Sequence, residues 1–175
     1  TITDNDSASI TLVQSGGTTA VTEGGATDSY TLVLTSQPTA NVSIALSGTQ
    51  VTPSPTPVVF TTANWNTPQT VTVTAIDDAV VEGAHSGSIT SVVSSSDANY
   101  QGYALAPLSV SSTDNDVPGV SVVQSGGNTA VAEGGATDSL TVVLQSQPSA
   151  NVTITLTGSQ ITPSPTPLSF TSANW

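Results

Sequence analysis

Glu23-Gly24-Gly25-Ala26-Thr27-Asp28-Ser29 leads directly into Tyr30-Thr31-Leu32-Val33-Leu34-Thr35. The glycine pair turns the chain. Beyond it, Tyr30, Leu32 and Leu34 alternate with Thr31, Val33 and Thr35. That is the period of a strand with one face in a core and the other in water. The turn is met again as Glu133-Gly134-Gly135-Ala136-Thr137-Asp138-Ser139, at a spacing of 110 residues (133 minus 23). The same offset carries Thr3-Asp4-Asn5-Asp6 onto Thr113-Asp114-Asn115-Asp116. It carries Val13-Gln14-Ser15-Gly16-Gly17 onto Val123-Gln124-Ser125-Gly126-Gly127, and Ala63-Asn64-Trp65 onto Ala173-Asn174-Trp175. A repeat of this length suits one β-sandwich module. It far exceeds the roughly 20–50 residues of a solenoid unit.

The repeat divides the chain into residues 1–6, the tail of a preceding copy, 7–116, one complete copy, and 117–175, the leading part of a further copy. Residues 117–175 lack counterparts of 66–116. About half a sandwich remains there, with an apolar face and an open edge. This register is expected of a stretch of a longer array. Two sources are open for the completing strands: a continuation of the same chain, or a neighbouring chain that donates them.

Helical periodicity is nowhere convincing. Short alternating runs rich in Val, Thr and Ile recur instead. They cover 10–14, resumed at 19–22 after Ser15-Gly16-Gly17, then 30–35, 42–47, 58–61, 70–76, 86–93 and 105–113. Pro53 to Pro57 reads as a proline-rich corner at a sheet edge. About seven strands per copy is the count of an immunoglobulin-like Greek-key β-sandwich. The expected fold class is therefore all-β, in tandem repeats.

Composition excludes several functions. The chain has no Lys or Arg, 12 Asp plus Glu and one His, for a net charge of −12. Nucleic acid and anionic membrane surfaces are repelled. Phosphate clamps and lysine Schiff bases are impossible without their side chains. Cys is absent, so there is no disulfide or thiolate site. Ser and Thr make up roughly a third of the residues, a composition that suits a secreted chain. No run approaches the ~18 apolar residues of a membrane span.

Without basic partners, the acids must be solvated, be protonated or bind cations. Glu23 lies in the first turn, Asp77, Asp78 and Glu82 follow the strand at 70–76, and Asp114 and Asp116 close the last strand. In a seven-strand Greek key these three places share one end of the domain. Six converging carboxylates would repel one another or take up protons. Ca²⁺ relieves such crowding with six to eight oxygen ligands in loose geometry, whereas Mg²⁺ demands a strict octahedron. Acids in sandwich turns also occur as solvated punctuation. From the residues alone both readings stand.

Val21-Thr22-Glu23-Gly24-Gly25, then Val71 to Asp78 with Glu82, then Thr113-Asp114-Asn115-Asp116, resembles the Calx-β family. The resemblance spans 7–116 and returns in the leading part of 117–175. It implies an immunoglobulin-like sandwich, found in tandem in large bacterial surface proteins. It also implies Ca²⁺ ligation by Glu23, Asp77, Asp78, Glu82, Asp114 and Asp116. One departure is that residues 47–70 contain no acid, where the family usually supplies a further ligand. One or two ions per copy are expected. Asp4 and Asp6 match the closing aspartates, and Glu133 matches Glu23.

Other residues invite weaker readings. His85, the only histidine, is expected as a surface or turn residue, because a catalytic triad also needs a positioned base and an oxyanion hole. Trp65 and Trp175 could stack on a sugar, but such a repeated Trp is more often a core or corner anchor. Asn41-Val42-Ser43 and Asn151-Val152-Thr153 fit the short N-glycosylation pattern. The sequence thus points to a non-enzymatic, calcium-stiffened structural repeat of an extracellular or cell-surface fibre, adhesin stalk or matrix protein. Its partners are neighbouring repeats or copies of itself, as in a homopolymeric filament or by strand complementation. The rival readings are a carbohydrate-binding accessory module, with glycan partners, and a calcium-sensing module.

Overall fold

The computed structural model describes residues 5–175. Asp4 lies outside that range. The regular structure of the described residues is nearly all strand, and the chain divides into two compact units. The first comprises residues up to Asp77 together with Gly83–Asn115, and the second comprises Asp78–Glu82 together with Asp116–Trp175.

The first unit holds nine strands: β1 (Ile10–Gln14), β2 (Thr19–Thr22), β3 (Asp28–Leu34), β4 (Val42–Thr49), β5 (Val51–Ser54), β6 (Val58–Phe60), β7 (Gln69–Ala75), β8 (His85–Ser95) and β9 (Leu108–Thr113). They form a four-stranded sheet in the order β1-β3-β7-β5 and a five-stranded sheet in the order β2-β9-β8-β4-β6. Both sheets contribute to one apolar core. Tyr30, Leu32 and Leu34 of β3 and Val71, Val73 and Ala75 of β7 face it from the first sheet. Val42, Ile44 and Leu46 of β4 and Val110 of β9 face it from the second. On β7 the intervening Thr70, Thr72 and Thr74 are exposed, so alternation alone decides which side chains enter the core. Each fully buried Val, Leu or Ile contributes about 1.5–3 kcal/mol.

Two features depart from the expected strand map. The runs at 10–14 and 19–22 are not one interrupted strand. After a tight turn at Ser15–Gly17, β1 pairs with β3 in one sheet and β2 pairs with β9 in the other. The β2–β9 pairing is parallel, whereas the other strand pairs of this unit are antiparallel. The second feature is β5, which occupies residues expected to open a corner. Pro53 sits opposite Val73 on the outermost strand of the four-stranded sheet, where a missing donor faces no further strand.

The passage from β4 to β5 is tight. Gln50 takes a positive φ of 58°, and its carbonyl accepts a hydrogen bond from Ile76 N at 3.0 Å. A Cβ on Gly48 would stand 2.0 Å from the Val51 carbonyl oxygen, so only glycine fits. The loop before β9 is pinned to the sheet as well. The buried Tyr100 donates its hydroxyl to Ser36 O at 2.7 Å. Asp97 accepts from Thr39 N at 2.7 Å and Asn99 N at 2.9 Å, and these bonds hold its carboxyl below the usual range.

The second unit contains β10 (Val120–Gln124), β11 (Leu140–Leu144), β12 (Val152–Ile154) and β13 (Leu168–Phe170). They form two separate two-stranded sheets, β10-β11 and β12-β13. Their registers repeat those of the first unit. Val120 faces Leu144 as Ile10 faces Leu34, and Val152 faces Phe170 as Val42 faces Phe60. Within this unit Gln147 N donates to Ala79 O at 2.7 Å. Among the described residues no helix is long and apolar enough to cross a membrane.

Candidate metal centre

The end of β2 is held by the end of β9. Thr22 pairs with Thr113, and Glu23 N donates to Thr113 O at 3.0 Å. Parallel pairing therefore sets Glu23 beside Asp114. One carboxylate oxygen of each lies within 4.8 Å of the other. The turn after Glu23 closes through Thr22 N to Ala26 O at 2.9 Å and Gly25 N to Thr22 O at 3.1 Å. Gly24 takes φ 58°, and a Cβ there would lie 2.7 Å from Asn115 Nδ2 and 3.2 Å from Asp77 Oδ2. Glycine thus admits two polar side chains against the turn.

Asn115 ties the three places together. Its Nδ2 donates to Glu23 O and to Asp77 Oδ1, each at 3.1 Å. Asp77 follows β7, so this amide joins the ends of three strands. Asp114 Oδ2 accepts from Gly83 N at 2.7 Å, which anchors the start of the segment that enters β8. The glutamate itself is buried, at 2% exposure.

His85, the first residue of β8, is the basic side chain on this side. Its Nε2 lies 3.5 Å from Glu23 Oε1. Its Nδ1 lies 3.0 Å from Gly83 O, a contact in which a protonated Nδ1 donates to the carbonyl. That bond orients the ring with Nε2 toward the carboxylate. A protonated ring would neutralise Glu23. A neutral ring would present a lone pair, the arrangement common to metal-binding histidines whose other nitrogen is held by a carbonyl.

Of the six acids singled out in the sequence, Glu23, Asp77 and Asp114 meet at this end of the first unit. Asp78, Glu82 and Asp116 fall in the segments grouped with the second unit. Asp78 caps its own loop, accepting from Val80 N at 2.7 Å. Glu133, the counterpart of Glu23, is exposed. His85 and Asn115 were not among the expected site residues. Asn115 could have been suspected from its place between two aspartates. His85 could not, because nothing local marks it.

Asp28 has a structural role. It accepts from Ala20 N at 2.9 Å and Ser29 N at 2.7 Å, and these bonds lower its pKa. Trp65 is partly buried against the core, and its carbonyl accepts from Leu34 N at 3.0 Å. Asn41 and Asn151 are exposed.

The site can hold a hard cation. Two carboxylates lie side by side, one of them buried, in a chain with no Lys or Arg. Oxygen donors of this kind suit Ca²⁺ better than soft metals. No protein-family model matches the chain, and no curated protein matches it.

Proposed function

We propose that this chain is a structural repeat of a large extracellular fibre, adhesin stalk or matrix protein. In this reading it is built from tandem immunoglobulin-like Greek-key sandwiches of Calx-β type. Ca²⁺ bound by Glu23, Asp77 and Asp114 stiffens each one, and the chain supplies Asp78, Glu82 and Asp116 at neighbouring positions. The reading gives it no catalytic role and places it outside the cell.

The observation that carries the reading is the buried Glu23 carboxylate beside Asp114, where His85 alone can offset charge. Burying a carboxylate next to another is costly unless a cation or a proton balances it. A cation there would join the ends of β2 and β9, which are already paired, to the end of β7, which Asn115 also bonds. The partly buried Trp65 does not favour the sugar-binding alternative.

Thermal unfolding of the full chain, in calcium and then in excess chelator, tests this. Millimolar Ca²⁺ should raise the melting temperature of the first unit by several degrees, as binding to the native state alone requires. The shift should vanish in Glu23→Gln and in the pair Asp77→Asn with Asp78→Asn. An unchanged melting curve in millimolar calcium would sink the cation reading and leave a plain β-sandwich spacer.

A further inference from the structure

Carboxylates account for a hard cation at the end of β2, but they do not account for the imidazole, because Ca²⁺ draws its ligands from oxygen. His85 is the only histidine of the chain, and both of its ring nitrogens are directed. Nδ1 lies 3.0 Å from Gly83 O, and Nε2 lies 3.5 Å from Glu23 Oε1. Gly83 also donates its N–H to Asp114 Oδ2 at 2.7 Å, so one residue fixes the imidazole and a carboxylate together. Its φ of 69° suits glycine and few other residues.

The distance between ring and carboxylate is informative. A charge-assisted N–H···O bond closes to about 2.7–2.9 Å. Two ligands of one tetrahedral Zn²⁺, each about 2.1 Å from the ion, stand about 3.4 Å apart. A further group lies on the same face. Ser112 of β9 is opposite His85 on one side and opposite Val21 on the other. Alternation along the strands puts it on the face of Asp114, two residues on, and of Glu23, two residues beyond Val21. Ser112 is 2% exposed, and its Oγ has no hydrogen-bond partner among the described residues. An unpaired buried hydroxyl is costly and calls for a ligand or a water beside it.

We propose that Glu23 Oε1 and His85 Nε2 are ligands of a Zn²⁺ ion, with Asp114 as the third ligand and a water held by Ser112 Oγ as the fourth. The inference deepens the cation site of the proposed function and rests on that reading for the presence of a cation at Glu23. What it adds is selectivity. An imidazole ligand favours Zn²⁺ over Ca²⁺, which carboxylates alone do not. The bond from Nδ1–H to the Gly83 carbonyl fixes the tautomer that leaves Nε2 its lone pair.

Nitrogen NMR of the full chain, stripped of metal and then given Zn²⁺, tests this. The single histidine gives one pair of imidazole signals, so their assignment is unambiguous. One equivalent of Zn²⁺ should move the Nε2 signal and leave Nδ1 protonated. By calorimetry, His85→Gln should weaken Zn²⁺ binding about a hundredfold or more and Ser112→Ala about tenfold, while the calcium-induced rise in melting temperature persists in both. Glu23→Gln should lose both metals. The proposal is overturned if Zn²⁺ leaves the imidazole signals unmoved. It is equally overturned if Glu23→Gln binds Zn²⁺ as tightly as the parent chain, which would mark an adventitious ion on the ring. Unmoved imidazole signals beside an intact calcium shift would remove this inference alone. A moved Nε2 signal without any calcium shift would remove the calcium reading alone and leave the zinc site standing.

Discussion

The turns that lead into β3 and β11 are identical in sequence, yet the two strands have different surroundings. Asp28 in the first receives Ala20 N at 2.9 Å and Ser29 N at 2.7 Å. Asp138 in the second receives Ala130 N at 2.8 Å and Ser139 N at 2.7 Å, and Ser125 Oγ bonds it as well. Hydrogen bonds hold both carboxyls below their usual pKa: Ala20 and Ser29 at Asp28, and Ser125, Ala130 and Ser139 at Asp138. Burial does not follow. Val21 is 3% exposed and Val131 is 54% exposed; Val51 is 1% exposed and Ile161 is 49% exposed. Hairpin register and turn geometry are therefore properties of the local chain. Burial belongs to whatever packs against it.

The widest separation of the two regions should come from their apolar side chains. Leu32→Ala should destabilise the first unit by about 2–5 kcal/mol, as deletion of a buried leucine does. Val142→Ala at the matching place should cost under about 1 kcal/mol, because its surroundings are open. Chemical denaturation of each variant measures both. Equal losses would show that the second unit is packed like the first.

The glutamates should separate next. In chelator, Glu23→Gln should leave stability unchanged or raise it by about 1 kcal/mol, since it removes a buried charge beside Asp114. Glu133→Gln should do nothing, because Glu133 is exposed. A clear loss in Glu23→Gln without calcium would mean that the His85–Glu23 pair alone balances the site.

At alkaline pH, burial pushes the Tyr30 phenol up to about 12. A raised acid contributes stability that is complete below its unfolded value near 10 and is lost as pH climbs toward 12. Tyr30→Phe should flatten that limb, which a melting series from pH 9 upward would reveal. The matching residue is Leu140, so the second unit should have no such limb.

The smallest effect lies at acid pH. Asp28 is depressed in the folded chain, so its contribution is present above the ordinary 3.8 and is lost as pH falls through the lower folded value. Asp28→Asn should shallow the acid limb of the first unit. Asp138→Asn should shallow the acid limb of the second unit in the same way, because hydrogen bonds from Ser125, Ala130 and Ser139 lower its pKa too.

Much of this architecture was legible in the residues. Alternation placed Tyr30, Leu32, Leu34, Val71 and Val73 on inner faces, because a pleated strand turns successive side chains to opposite sides. Nine strands in place of about seven reflect two local ambiguities. Pro53 masked β5, since proline is as acceptable on an edge as in a corner. The break at Ser15–Gly17 showed that the strand stops, but not that it changes sheets. The site was half legible. Glu23, Asp77 and Asp114 were recoverable as acids at strand ends. The Asn115 brace to Glu23 spans 92 positions. The His85 contact with Glu23 joins β8 to the end of β2 across the intervening β9. Neither leaves a local pattern.

One consequence concerns pulling. β2 lies near the start of the first unit and β9 near its end, and they run parallel through four pairs, from Thr19 with Val110 to Thr22 with Thr113. Tension applied at the two ends drags these strands in opposite directions along their own axes. The ladder is then loaded sideways, and its bonds must give way together. An antiparallel hairpin pulled open at its tip surrenders them one at a time. The first unit accordingly resists stretching by more than its melting temperature would suggest.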